Sequence, residues 1–186
     1  MSRHRKISRA LQNRHANKRG PNGKRLCTWC GVEVKPPRRT FCSDDCVHEY
    51  KIRSDPGYVR IQLRNRDHGI CAQCGLDCEK LQRVLNYIQY GTERPYARPR
   101  YDPYYASQAG GLDIVKQTLV ELGFLAYPIR SLWDADHILE VVNGGGECGL
   151  ENYQTLCQVC HKAKTKKLAA DRAKARKAEK AKKDPQ

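Results

Sequence analysis

Four polar residues in the C-terminal third of the chain are of the types that phosphodiester hydrolysis requires. Asp136 and His137 are adjacent at the head of an apolar run, Asn152 follows a glycine-rich stretch, and His161 stands directly after a C-x-x-C pair. Breaking a phosphodiester takes an activated water, a cation to offset charge on the phosphate, and stabilisation of the leaving oxygen. One hard divalent ion and one neutral imidazole meet all three needs. Asp136 and His161 make a candidate ligand pair for that ion. His137, the next residue on an extended strand, points to the opposite face and is the candidate base.

Something must hold these groups, and the cysteines are the first candidates. Eight of the ten fall into close pairs: Cys27/Cys30, Cys42/Cys46, Cys71/Cys74 and Cys157/Cys160. Four thiolates in a tetrahedron form a closed structural zinc site, and each close pair lets one turn supply two ligands. The first two pairs make a local site, "CTWCGVEVKPPRRTFCSDDC", a knuckle followed by a short hairpin through Pro36-Pro37 and a helix beginning near Ser43. A segment so small folds only with its metal, whose binding contributes about 10–16 kcal/mol. A disulfide pairing is the alternative reading. The last two pairs make a second site, with an 82-residue interval that must contain something folded. Cys78 and Cys148 have no close partner and are expected to be free thiols rather than a secondary ligand set.

The run C-x-x-C-H at 157–161 is also an attachment pattern for c-type haem. The only methionine is Met1, so none is placed to be a second axial ligand, and covalent haem is normally attached after export. No run of about 18 apolar residues exists to span a membrane, and the N-terminus has no apolar signal region. The expectation is an intracellular chain, nuclear if eukaryotic and cytoplasmic if phage or bacterial, with neither haem nor membrane. In such a reducing compartment cysteine pairs more often bind metal than cross-link.

Charge is segregated. The 186 residues carry a net charge of +15, with nine Lys/Arg and no acid in 1–26, and eleven Lys/Arg against three acids in 162–186. The middle is close to neutral. Basic arms of this kind release counterions on binding polyphosphate and supply sequence-independent affinity for DNA or RNA.

"SDPGYVRIQLRNRD" opens with capping residues Ser54 and Asp55 and a first-turn proline, which predicts a helix over 55–67 with Arg60, Arg64 and Arg53 near one face. Within the interval, Leu81, Val84, Leu85 and Ile88, then Ile114, Val115, Leu119 and Leu122, recur at helical spacing. The Arg/Tyr/Pro-rich stretch 94–105 reads as a surface loop, with nucleic-acid stacking as the alternative. "DHILEVV" reads as a strand, Gly144 to Gly146 as a loop, "ENYQTLC" as a second strand, and the Ala/Lys-rich run from Gln158 as a helix. Leu168 is the only large apolar residue after His161, so the distal tail has almost no face to bury.

In this order the motifs resemble the HNH endonuclease family: "CAQC" upstream, "DH" at 136–137, "LENYQTLC" with Asn152, and "CxxCH" ending in His161. The wider string "W-x-x-DHI-x-x-V-x-x-GGG-x-C-x-L-x-N-x-QTLC-x-x-CHK-x-x-T" is similar to the nuclease domain attached to eukaryotic annealing helicases, over about residues 27–165. The resemblance implies an α+β fold: a small zinc-stabilised ββα-metal, treble-clef-like nuclease core with a helical insert, preceded by a four-cysteine zinc knuckle. It implies His137 as general base, Asp136 and His161 as ligands of a catalytic ion, and Asn152 as the residue that braces the loop and can approach the ion. The products it implies carry 5′-phosphate and 3′-hydroxyl ends.

The expected layout is a basic arm at 1–26, the knuckle and helix at 27–67, the nuclease domain at 68–165 with its helical insert at 79–125, and a Lys-rich tail at 166–186. Expected cofactors are two structural Zn²⁺ and one Mg²⁺ or other catalytic divalent ion. The expected partner is DNA, contacted by Lys162, Lys164, Lys166, Arg60 and Arg64, with the helicase that would present forked DNA not expected in this chain. The rival reading is a zinc-stabilised nucleic-acid-binding protein without turnover; oligomeric state is left open.

Overall fold

The computed structural model describes residues 15–90, 117–124 and 131–183. The 94–105 stretch and residues Ile114 and Val115 lie outside the described residues, as does the side chain of Ile88. The chain divides into two compact units, one formed by 1–66 with 137–153 and the other by 67–136 with 154–186. Among the described residues no helix is long and apolar enough to cross a membrane.

In the first unit, isolated antiparallel bridges Arg19↔Arg25 and Leu26↔Glu33 lead the chain into and out of the first cysteine turn. Helix α1 (Asp44–Ser54) starts where the Ser43 hydroxyl accepts the Cys46 N–H at 3.2 Å. Asp44 and Asp45 in its first turn and Lys51 and Arg53 in its last complement the helix dipole. Helix α2 (Pro56–Asp67) begins one residue later than the sequence predicts, because Asp55 is its cap: the carboxylate accepts the N–H groups of Gly57 and Tyr58 at 2.9 and 3.1 Å. Ile52 of α1 and Val59 and Leu63 of α2 are buried with Cys27 and Val34. That is a small core, and it leaves folding dependent on a further constraint.

The second unit contains α3 (Cys78–Tyr90), whose first turn is capped by the Asp77 carboxylate accepting the Lys80 N–H at 2.8 Å. The expected apolar face is only partly used, since Val84 is 48% exposed. A helical segment at 117–121 buries Leu119 and ends at Gly123, whose φ of +88° lets the Phe124 N–H return to the Leu119 carbonyl. Leu122, expected on the apolar face, is exposed.

Strands β1 (Trp133–His137) and β2 (Tyr153–Cys157) form the two-stranded sheet, and α4 (Gln158–Lys183) follows β2 without a linker. This is a ββα unit in the order the sequence implied. The first strand sits upstream of the predicted one: it ends at His137, and Ile138, Leu139, Val141 and Val142 lie exposed on a loop with a 3₁₀ turn at Val141–Asn143. The strand is anchored instead by Trp133, buried with Leu132 and Leu156, its indole N–H donating to Glu79 at 2.9 Å. Buried Thr155 is satisfied by Asp67, which accepts its N–H and hydroxyl at 3.2 and 2.8 Å. Beyond Leu168 every described side chain of α4 is exposed.

Candidate active site

Each unit carries one cysteine cluster. Cys27, Cys30, Cys42 and Cys46 form the first and Cys71, Cys74, Cys157 and Cys160 the second, all four sulfurs of each lying within 4.8 Å of one another. The two are built alike. Each opens on C-x-x-C-G, with the glycine at positive φ (Gly31 +77°, Gly75 +73°) returning its N–H to the first cysteine's carbonyl at 3.0 and 2.9 Å. Each closes on a cysteine pair at a helix start, Cys42/Cys46 at α1 and Cys157/Cys160 at α4.

The electrostatics match the spacing. Burial raises the Cys27 thiol, but hydrogen bonds from the backbone of Cys30, Cys42 and Trp29 outweigh it and bring it to about 6. Cys71 falls to about 7 by the same balance. Protons shared with Cys30 and Cys46 push Cys42 up to about 12. One thiolate in each set forms readily and the next resists, as expected where packed thiolates need a cation. The donor sets fit tetrahedral Zn²⁺. Cys78 and Cys148 form no disulfide; Cys78 is buried and its thiol is pushed up to about 12 by burial and the nearby thiolates.

The ββα element of the second unit assembles the polar cluster. Asp134 and Asp136, two apart on β1, share one face. His161 and Lys164, three apart in the first turns of α4, share another. The His161 Nδ1 lies 3.1 Å from Asp134 Oδ2, and its Nε2 lies 3.7 Å from Asp136 Oδ1. The other Asp136 oxygen accepts from Gln154 Nε2 at 3.0 Å and from Lys164 Nζ at 2.7 Å. The Asp134 hydrogen bond holds His161 above its ordinary value; burial and Lys164 oppose that and Asp136 reinforces it.

This arrangement leaves one carboxylate oxygen and one imidazole nitrogen facing each other. Bonds of about 2.0–2.1 Å to an octahedral Mg²⁺-sized ion set adjacent donors about 3 Å apart, so the pair at 3.7 Å stands somewhat wider than two neighbouring ligands of one hard ion. Among the described residues only the two cysteine clusters gather three or more donors of this kind, whereas Asp136 and His161 bring together one donor each.

In the first unit, the His137 ring packs on Tyr153 with centroids 4.3 Å apart. Asn152 closes the loop: its Oδ1 accepts the Leu139 N–H at 2.8 Å, and its Nδ2 donates to the carbonyls of Leu139 and Gly145, both at 3.0 Å. Its amide is thereby committed to backbone, as a brace. Gly145 is required there, because a Cβ would run into the Leu139 carbonyl and the Asn152 amide.

Lys162 donates to the Gly123 carbonyl at 2.9 Å, Lys166 is exposed, and Arg60 and Arg64 are half-buried on α2, each with a partner. Arg53 belongs to α1 rather than to the face of α2. Asp134 and Gln154 are not singled out by the sequence. The signal for Asp134 is its period-two spacing from Asp136; Gln154 is recognisable only once the strands pair.

The family model described as HNH endonuclease matches residues 127–167. The chain is 34% identical over 167 residues to the Mus musculus protein named DNA annealing helicase and endonuclease ZRANB3, covering 83% of this chain and 14% of that protein. The Homo sapiens protein of the same name is 34% identical over 137 residues, covering 73% of this chain and 12% of the relative. The chain thus spans less than one sixth of the length of the curated relatives it matches. The crystal structure of the human ZRANB3 HNH domain aligns with a TM-score of 0.40 at 28% identity, covering 67% of this chain and 97% of that one. Through residues 127–167 the chain belongs to the HNH endonuclease family, and its HNH domain is similar to that of the annealing-helicase endonucleases.

Proposed function

We propose that the chain is a metal-dependent DNA endonuclease in which Asp136 and His161 hold one catalytic divalent ion, His137 is the general base, and two structural Zn²⁺ sit in the cysteine clusters. The observation that carries this reading is the facing pair, Asp136 Oδ1 and His161 Nε2, with the other atom of each group engaged by Gln154 and Lys164 or by Asp134. Ligands oriented through their outer atoms are the arrangement that fixes tautomer and direction at a metal site. A hard divalent ion bound there supplies charge neutralisation at the scissile phosphate and the leaving oxygen.

The protein groups perform the rest. His137 takes a proton from the attacking water, its ring seated by Tyr153. Asn152 holds the loop that follows His137 through the backbone of Leu139 and Gly145. Lys164, on the helix that carries His161, steadies Asp136 and is the lysine assigned to the substrate backbone in this reading. Lys162, Lys166, Arg60, Arg64 and the arms at 1–26 and 166–186 supply sequence-independent attraction to DNA. In the relatives' printed name, DNA annealing helicase and endonuclease, the word endonuclease supports the reaction class and the word DNA the substrate class.

Labelled duplex, single-stranded, forked and junction DNA incubated with the purified protein tests the reading. Cleavage should need Mg²⁺ or Mn²⁺, leave 5′-phosphate and 3′-hydroxyl ends, and vanish in Asp136→Asn. Tight DNA binding without cleavage on any substrate or metal would establish the non-catalytic zinc protein instead.

A further inference from the structure

The N-terminal four-cysteine knuckle has no part in the proposed chemistry, yet its unit contains the loop that joins the two strands. Two arginines connect them. Arg53, in the last turn of α1, lies with its guanidinium 4.7 Å from the ring centroid of Trp29, which stands between Cys27 and Cys30. The same guanidinium donates to the Glu49 carbonyl at 2.9 Å, pairs with the Glu49 carboxylate, and donates through Nε to the Glu147 carbonyl at 3.0 Å. Arg66, near the end of α2, donates to the carbonyls of Leu150 and Tyr153 at 3.0 and 2.8 Å. Those acceptors flank Asn152, and Tyr153 is the residue against which His137 packs.

We infer that Arg53 and Arg66 are positioning residues for the 138–153 loop, and that the first cysteine cluster is its buttress rather than an independent DNA reader. The physical reason lies in the loop. Its glycines confer freedom, and the apolar residues Ile138, Leu139, Val141 and Val142 are exposed, so burial does little to fix it. The Asn152 side chain ties the loop to its own backbone, which leaves other groups to hold the loop from outside. The two guanidinium groups provide that external tie, each planar fork spanning separate acceptors in a way an ammonium cannot. Trp29 sits in the cysteine turn, so metal in the first cluster fixes the surface on which Arg53 lies. The positions of Asn152, and of His137 through Tyr153, then depend on residues far from them in sequence. The catalytic consequence rests on the proposed nuclease reading; the mechanical one does not.

Hydrogen exchange on the full-length, zinc-loaded protein separates the two. In Arg53→Ala and Arg66→Ala the amides of Ile138, Leu139 and Gly145 should exchange at least tenfold faster, while those of Val59 and Leu63 in α2 and the content of two zinc ions stay unchanged. Cys30→Ser, which opens the first cluster, should loosen the same loop amides. On a supercoiled-plasmid substrate the arginine variants should lower kcat for nicking about tenfold with little change in KM, and Arg66→Lys should recover part of the loss. Faster loop exchange in a chain whose wild type cuts nothing would keep the clamp and discard the nuclease reading. Unchanged loop exchange in both alanine variants, or a raised KM at full kcat, would overturn the inference. Should Arg66→Ala lose its zinc or its helices, Arg53→Ala and Arg66→Lys decide by the same exchange readout.

Discussion

His161 is the residue on which the local chemistry turns, because both its ring nitrogens are placed by acids on one strand. Asp134 engages Nδ1 and raises the imidazole above its ordinary value of 6.5. In the metal-free protein the charged pair therefore contributes stability in full below that unfolded-state value, and the contribution is lost as pH rises through the higher folded-state value. Asp134→Asn should lower the His161 midpoint in an NMR titration and flatten this part of the stability–pH curve; an unshifted midpoint would show that Asp134 does not govern the ring. The same substitution should weaken divalent-ion binding by roughly 10–100-fold, the usual cost of losing an outer partner of a ligating histidine. Calorimetric titration with Mn²⁺ measures that directly. In the proposed site the charge of Lys164 would oppose an ion where that of Asp134 would assist it, so Lys164→Met should bind Mn²⁺ more tightly while cutting DNA more slowly.

The helix and hairpin elements are fixed by turns and sulfur more than by apolar faces, and this explains what the sequence disclosed. The cysteine pairing is legible because C-x-x-C spacing is a local geometric demand, and the caps at Ser43 and Asp55 are legible for the same reason. Composition misplaces the first strand, because Ile138 to Val142 have strand-like side chains whereas pairing ends at His137 and the loop is closed by Asn152. Asp136 and His161 are readable from their types, but Asp134, Gln154, Arg53 and Arg66 acquire roles only where separate elements meet. Gly145→Ala tests the loop, since its Cβ meets the Leu139 carbonyl and the Asn152 amide. It should destabilise by about 1–3 kcal/mol, the range for overpacking, read from chemical denaturation. Cys157→Ser should reduce bound zinc from two ions to one, assayed by colorimetric release, and melt the ββα element with it.

On the scale of the whole molecule, charge and chemistry are kept apart, with the basic residues concentrated in terminal segments and the candidate chemistry in a nearly neutral middle. Removing 169–186, whose described side chains are exposed, should weaken DNA binding chiefly at low salt. The slope of log affinity against log salt should become shallower by about 0.9 for each phosphate no longer neutralised. Mn²⁺ affinity should not change, because Asp136, His161 and Lys164 all precede the cut. The proposed nuclease activity depends on a metal-dependent hydrolysis that runs through His137. Plasmid nicking by zinc-loaded wild type and His137→Ala, with EDTA and Mn²⁺ add-back, is the decisive assay. The wild type should nick in a way that EDTA abolishes and Mn²⁺ restores, and His137→Ala should nick about 10²–10⁴-fold more slowly at undiminished Mn²⁺ affinity. Metal-dependent nicking by His137→Ala at the wild-type rate would contradict the proposed role of His137.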